Sequence, residues 1–163
     1  MTARSRYRAR QFRRTLAPNV TDDERRAARA VLGPSLFALF VAMQPADQRH
    51  CLDVYELLRS NGESNIDVLI AALIHDAGKA GDGPARIRIW HRVLHVALPD
   101  ALVRLFARGE GGLSKLQRHG EETLAFAREA GAPDRVISLL EAVELHNVED
   151  ERAARLLAAD DAC

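Results

Sequence analysis

The spacing of the apolar residues constrains the fold of this 163-residue chain more than any other feature. Apolar residues recur at intervals of three and four almost throughout, and they never alternate with polar residues over the length of a strand. Aromatic residues make up only 5% of the chain, and β-branched residues are also sparse. The sequence therefore predicts an all-α protein, and its length suits a single domain with one core.

Local signals divide the chain into predicted helices. Thr21 and Glu24 form a capping box, which begins a helix that ends near Gly33, and Pro34 suits the first turn of a second helix. Pro45 begins a third helix, to about residue 59. The remaining predicted helices are a buried central one at 66–75, then 87–98, 101–108, about 119–130, one from Pro133 and one from about Asp150. We expect residues 1–44 to be a basic segment with helices that pack on the core, and residues 45–163 to carry the functional site.

The charge is balanced overall but uneven at the N-terminus. The chain has 23 basic and 23 acidic residues, so we expect neither a nucleic acid nor a membrane as its partner. The first fifteen residues hold six arginines and no acid, which suits either contact with a phosphate-rich partner or a solvated terminus. Cys51 and Cys163 show no disulfide spacing, and no apolar stretch reaches membrane-spanning length, so we expect a cytoplasmic protein.

The sharpest candidate for chemistry is the pair His75 and Asp76, where the apolar central helix meets a turn that contains Gly78. A buried carboxylate without a partner is costly, so a metal ion or a nearby cation must compensate Asp76. A lone buried histidine is more often simply hydrogen-bonded.

Other ionisable residues also fall on apolar helix faces. His50 shares a face with Val54 and Leu58, and Asp160 follows Leu156 at helical spacing; His146 continues the spacing of Leu139 and Val143. Separate core polar groups could produce one or two such coincidences. Convergence of all four helices is more simply explained by a shared cation.

These residues resemble the HD superfamily of metal-dependent phosphohydrolases over about residues 45–163. The resemblance lies in His50, in His75-Asp76 followed by Gly78-Lys79, and in Asp160 after an apolar stretch. It implies an HD-type helical bundle in which His50, His75, Asp76 and Asp160 bind a divalent ion (manganese, iron, cobalt, nickel, zinc or magnesium). The implied reaction is hydrolysis of a small phosphate ester, such as a nucleotide, with Asp76 and Lys79 as catalytic residues.

The segment from His75 to Lys79 looks most like the His-Asp-Ile-Gly-Lys branch of that superfamily, with Ala77 in place of isoleucine. The branch often holds two metal ions, and the resemblance implies His119 and His146 as ligands of the second, with Asp76 bridging. Asn147 stands where HD-GYP hydrolases have another histidine, and the Gly-Tyr-Pro segment is absent. We therefore expect one tight ion and a weaker second one, and no hydrolysis of cyclic di-GMP.

Several alternatives stay open. His91 and His95, four residues apart, could chelate a metal, although lining a pocket or the surface is the simpler interpretation. His119 could be a helix-start residue, and Lys79 could be a solvated residue instead of a phosphate-binding one. Arg86, Arg88, Arg92 and Arg118 are further candidates for phosphate contact. A regulatory module that binds a nucleotide without hydrolysing it is the alternative function.

Overall fold

The computed structural model describes residues 19–80 and 112–163, with side chains from residue 119 onward in the second range. These residues form six α-helices and a short 3₁₀ turn, and no strand occurs among them, which confirms the all-α prediction. The helices are α1 (Asp22–Ala42), α2 (Pro45–Ser60), α3 (Ile66–Ile74), α4 (Gly112–Glu129), α5 (Asp134–Glu144) and α6 (Glu151–Ala162), with the 3₁₀ turn at Ala77–Lys79 between α3 and α4. The predicted helices at 87–98 and 101–108 and the arginine-rich N-terminus lie outside the described residues.

The first helix begins at the predicted capping box. The backbone N–H of Thr21 donates to the Glu24 carboxylate at 2.8 Å, and the N–H of Glu24 donates to the Thr21 hydroxyl at 3.3 Å. At the predicted break, Gly33 has φ 67° and ψ 176°, and Pro34 follows it. The two predicted helices are thus two arms of α1 that meet at a kink, because Gly33 leaves the helical region and Pro34 starts a new turn.

The central helix α3 is buried along almost its whole length, as predicted. Every residue from Val68 to Ile74 is buried, and the Asn65 side chain caps the helix by accepting from the N–H groups of Asp67 and Val68. Helices α1, α2, α5 and α6 all pack against α3. Its C-terminal end therefore lies in the interior of the described bundle, and that end carries the site.

A buried arginine joins α1 to α2. The Arg49 residue is only 7% exposed, and its guanidinium donates to Glu24 on α1 and to Asp53 and Glu56 on its own helix. Three carboxylates surround this single cation, so its charge is compensated where water is largely excluded. The contact fixes the start of α1 against the helix that carries His50.

Three helices end in the same hydrogen-bonded C-terminal capping motif. After α2, α4 and α5 the chain turns through a residue of positive φ, namely Gly62 (88°), Gly131 (76°) and His146 (50°). In each case the residue after it donates its N–H back to a carbonyl in the last turn, as Asn147 does to Ala142 at 2.8 Å. This is the Schellman motif, in which glycine is the usual residue at the left-handed position.

No helix in these two described ranges combines the length and the hydropathy that crossing a bilayer requires.

Candidate metal centre

The end of α3 places His75 and Asp76 inside the protein. Helix α3 ends at Ile74, His75 caps it, and Asp76 begins the 3₁₀ turn with φ −100°. His75 is 8% exposed and Asp76 is 2% exposed. The apolar helix is thus followed directly by two ionisable residues that stay buried, as the sequence predicts.

His50 and Asp160 reach this point from α2 and α6. The Nε2 atom of His50 lies 2.7 Å from Oδ1 of Asp160 and 3.3 Å from Nε2 of His75. His75 Nε2 is in turn 3.4 Å from the same Asp160 oxygen. The fold therefore brings together three donors that are 25 and 110 residues apart in sequence.

The Asp76 carboxylate adjoins this group and also faces two further residues. Its Oδ1 is 3.7 Å from Nε2 of His75 and 3.9 Å from Nε2 of His119. Its Oδ2 accepts from the Lys79 ammonium at 2.6 Å and lies 4.0 Å from Nε2 of His50. Asp76 thus contacts both the His50, His75 and Asp160 group and the residues His119 and Lys79.

The His75 ring is oriented so that its Nε2 atom faces His50 and Asp160. On the other edge of the ring, Nδ1 lies 2.9 Å from the carbonyl oxygen of Ala72 and 3.7 Å from Sγ of Cys51. In the neutral imidazole that a metal ion would bind, Nδ1 carries the proton and donates to Ala72, and the lone pair of Nε2 then points at His50 and Asp160. Metal-binding histidines are commonly oriented by such a bond from their second nitrogen.

The electrostatics favour charged groups at this site. Burial alone would raise the pKa of Asp76, but Lys79, His75 and His50 hold it well below its usual value. Burial has the same effect on Asp160, and the hydrogen bonds from His50 and His75 outweigh it, so its pKa is also low. Burial would lower the pKa of His75, whereas the charge of Asp76 and the hydrogen bond to Asp160 raise it well above normal. Two carboxylates are therefore ionised at neutral pH in a largely buried setting.

The donor geometry fits a divalent ion. Nitrogen and oxygen ligands that bind one ion at about 2.1 Å lie about 3.0 to 3.5 Å apart in octahedral or tetrahedral arrangements. The distances of 2.7, 3.3 and 3.4 Å among His50, His75 and Asp160 lie close to that range, and all three donor atoms face one another. Imidazole and carboxylate ligands suit first-row transition metals.

A second possible set of donors consists of Cys51, His75 and Asp76. Cys51 is completely buried, and this burial raises the pKa of its thiol, so it is not a thiolate at neutral pH. Its contact is with Nδ1 of His75, on the edge of the ring away from His50 and Asp160. We therefore assign Cys51 to the support of His75.

The prediction that His146 extends the apolar face of its helix is wrong. Helix α5 ends at Glu144, and His146 is exposed at the left-handed position of the Schellman motif that follows it. Its Nδ1 atom lies 3.3 Å from the Glu144 carbonyl oxygen. Beyond the helix end, the spacing that relates it to Leu139 and Val143 no longer describes a face. The structure does not bring His146 into the group of donors described above, whereas it does bring His119 to Asp76.

Sequence reasoning missed Thr123. This buried residue, 2% exposed, lies on α4 one turn after His119, and its hydroxyl contacts the backbone of the turn that carries Asp76. A threonine in a helix gives no signal of such a contact, because the partner is 45 residues away.

Some predicted residues fall outside the described part of the chain. These are His91 and His95, with the competing metal site, and the phosphate-binding candidates Arg86, Arg88 and Arg92; the side chain of Arg118 is also outside it.

No protein-family model matches this chain, and no curated protein or solved structure matches it either.

Proposed function

We propose that this protein is a metal-dependent phosphohydrolase of the HD type, which hydrolyses a small phosphate ester such as a nucleotide. The observation that supports it is the convergence of His50, His75 and Asp160 within 3.4 Å of one another, with Asp76 beside them. These are the four residues on which the resemblance to that superfamily rests. Their meeting in space is what a shared metal ion requires of residues so far apart in sequence.

The proposed division of roles follows from exposure and charge. His50 and Asp160 have side chains 25% and 33% exposed, so the group is accessible to a small ligand, while His75 and Asp76 form its buried base. A divalent ion bound there would act as a Lewis acid on a phosphoryl oxygen and lower the pKa of water. The ionised carboxylates of Asp76 and Asp160 are suited to hold the cation and to accept a proton.

Lys79 is the proposed phosphate contact. Its ammonium lies 2.6 Å from Asp76, and its side chain is 14% exposed, so it lies at the edge of the buried base. There it can neutralise phosphate oxygens while it remains hydrogen-bonded to Asp76. The ion pair also supplies part of the compensation that the buried carboxylate needs.

The experiment compares Asp160→Asn with Asp161→Asn. Both changes remove one negative charge from the end of α6, but Asp161 is exposed and has no part in the group. Protein purified without chelator would be assayed for metal content by elemental analysis, and for product release from a panel of nucleotides and phosphate esters with Mn²⁺, Fe²⁺ or Co²⁺. We expect Asp160→Asn to lose most of its metal and its hydrolysis, and Asp161→Asn to keep both.

Two results would count against the proposal. If wild-type protein binds no divalent ion, or if Asp160→Asn retains full metal content and turnover, the assigned site is wrong. Saturable nucleotide binding without product would instead support the regulatory module.

A further inference from the structure

Thr123 links α4 to the turn that follows α3. Its hydroxyl oxygen accepts from the N–H of Gly78 at 2.8 Å, and its hydroxyl proton is donated to the carbonyl oxygen of His75 at 3.0 Å. Because an N–H can only donate and a carbonyl oxygen can only accept, the direction of both bonds is fixed. The two bonded backbone groups lie on either side of Asp76 and Ala77, so one side chain holds this short segment at both ends.

The turn lies directly against the backbone of α4 at this point. A Cβ atom at Gly78 would meet the carbonyl oxygen of His119 at 1.9 Å and the backbone nitrogen of Thr123 at 2.7 Å. Only a residue without a side chain allows this approach. His119 and Thr123, four residues apart, therefore lie on the face of α4 that packs on the turn.

The same packing sets the distance between Asp76 and His119. These residues lie on different elements, and their facing atoms, Oδ1 and Nε2, are 3.9 Å apart. By contrast, His50 comes from α2 and Asp160 from α6, so neither of these two residues lies on α4.

We propose that Thr123 is a positioning residue that holds Asp76 against His119, the one of the two expected ligands of the second, weaker ion that the structure brings to Asp76. Its role in catalysis rests on the proposed function, whereas its role in placing His119 does not. Residues that orient metal ligands commonly change metal affinity by about 10- to 100-fold when they are replaced.

The test compares Thr123→Val with Thr123→Ser. Valine keeps the shape of threonine but removes both hydrogen bonds, whereas serine keeps the hydroxyl. Ser138→Ala is the matched control, because the Ser138 hydroxyl donates to the Asp134 carbonyl within α5, on the exposed side of that helix. Thermal melts would establish that each variant is folded.

Two measurements are made on each folded variant. Calorimetric titration of metal-free protein with Mn²⁺ gives the affinity of each ion. Imidazole resonances of the metal-free protein, assigned with His119→Gln, report the surroundings of His119 without any metal. We expect Thr123→Val to shift the His119 resonances and to weaken the second ion at least about tenfold, with the tight ion changed less than about threefold. Thr123→Ser and Ser138→Ala should resemble the wild type.

Unchanged His119 resonances in folded Thr123→Val, or failure of serine to restore them, would overturn the proposal. Equal weakening of both ions would also overturn it, since the effect would then not be confined to the side of Asp76 that faces His119. If the wild type binds no Mn²⁺, the proposed function fails, and the His119 resonances alone decide the role of Thr123.

Discussion

Gly78→Ala tests the contact between the turn and α4 most directly. The added Cβ would lie 1.9 Å from the His119 carbonyl oxygen, and such atoms essentially never approach within 3.0 Å, so one backbone segment must move by about 1.1 Å. Overpacking of a close-packed region costs about 1 to 3 kcal/mol. The displacement also weakens the two hydrogen bonds of Thr123, each of which is worth about 0.5 to 1.5 kcal/mol.

We therefore expect Gly78→Ala to lower the free energy of unfolding by about 2 to 4 kcal/mol. For a chain of this size that corresponds to a fall in Tm of about 10 °C. The displacement should also separate His119 from Asp76, and thus shift the His119 imidazole resonances. Urea unfolding followed by circular dichroism gives the first quantity, and the spectrum of metal-free protein gives the second.

Gly131→Ala is the control for this change. Gly131 has φ +76°, and nothing lies within 4 Å of the position its Cβ would take, so alanine meets backbone strain but no clash. That strain costs about 1 to 2 kcal/mol and should leave the His119 resonances unchanged. If Gly78→Ala is no less stable than Gly131→Ala, or if it leaves His119 undisturbed, the assigned packing of the turn on α4 is incorrect.

Three further predictions concern stability. Arg49→Ala should lower the free energy of unfolding, measured in urea, by about 2 to 3 kcal/mol, because it leaves three carboxylates without their shared cation although two of them retain some access to water. His146→Gly should raise it by up to about 1 kcal/mol, since glycine adopts φ 50° without strain; a decrease would contradict that reasoning. The low pKa values of Asp76 and Asp160 mean that the folded state binds fewer protons, so metal-free protein should lose stability as the pH falls below about 4. The raised pKa of His75 acts in the opposite direction, and its contribution should be lost as the pH rises above about 6.5, which a series of urea melts from pH 3 to 9 would detect.

The helices could be predicted from the sequence wherever a local signal marks their ends. The capping box at Thr21 and the proline at position 45 each act within a few residues, and each begins a helix in the structure; the helix predicted from about Asp150 is also present, capped by that residue. Helix α4 begins at Gly112, earlier than predicted. The prediction placed the start too late because glycine in a sequence usually indicates a loop. Tertiary contacts of the kind that α4 makes with the Ala77–Lys79 turn are not visible in local propensity.

The convergence of His50 and Asp160 on His75 could also be predicted, because His50 and Asp160 lie on helices whose apolar face points to the core. His146 could not be placed in this way. Its helix stops at a position that glycine usually occupies, and a histidine there gives no sign that the helical spacing has ended. Thr123 and the close approach at Gly78 depend on how distant segments pack, and neither follows from periodicity.

The hydrogen bond between His50 and Asp160 also bears on the order in which the protein folds. It joins residues 110 positions apart, so the chain must close a very long loop before this contact can form. Contacts of such sequence separation slow folding, whereas single helices form in about a microsecond. In a refolding experiment the helical signal should therefore return before the histidine environment at α2 and α6 does. Between those two events the protein would have most of its secondary structure and none of the contacts among His50, His75 and Asp160.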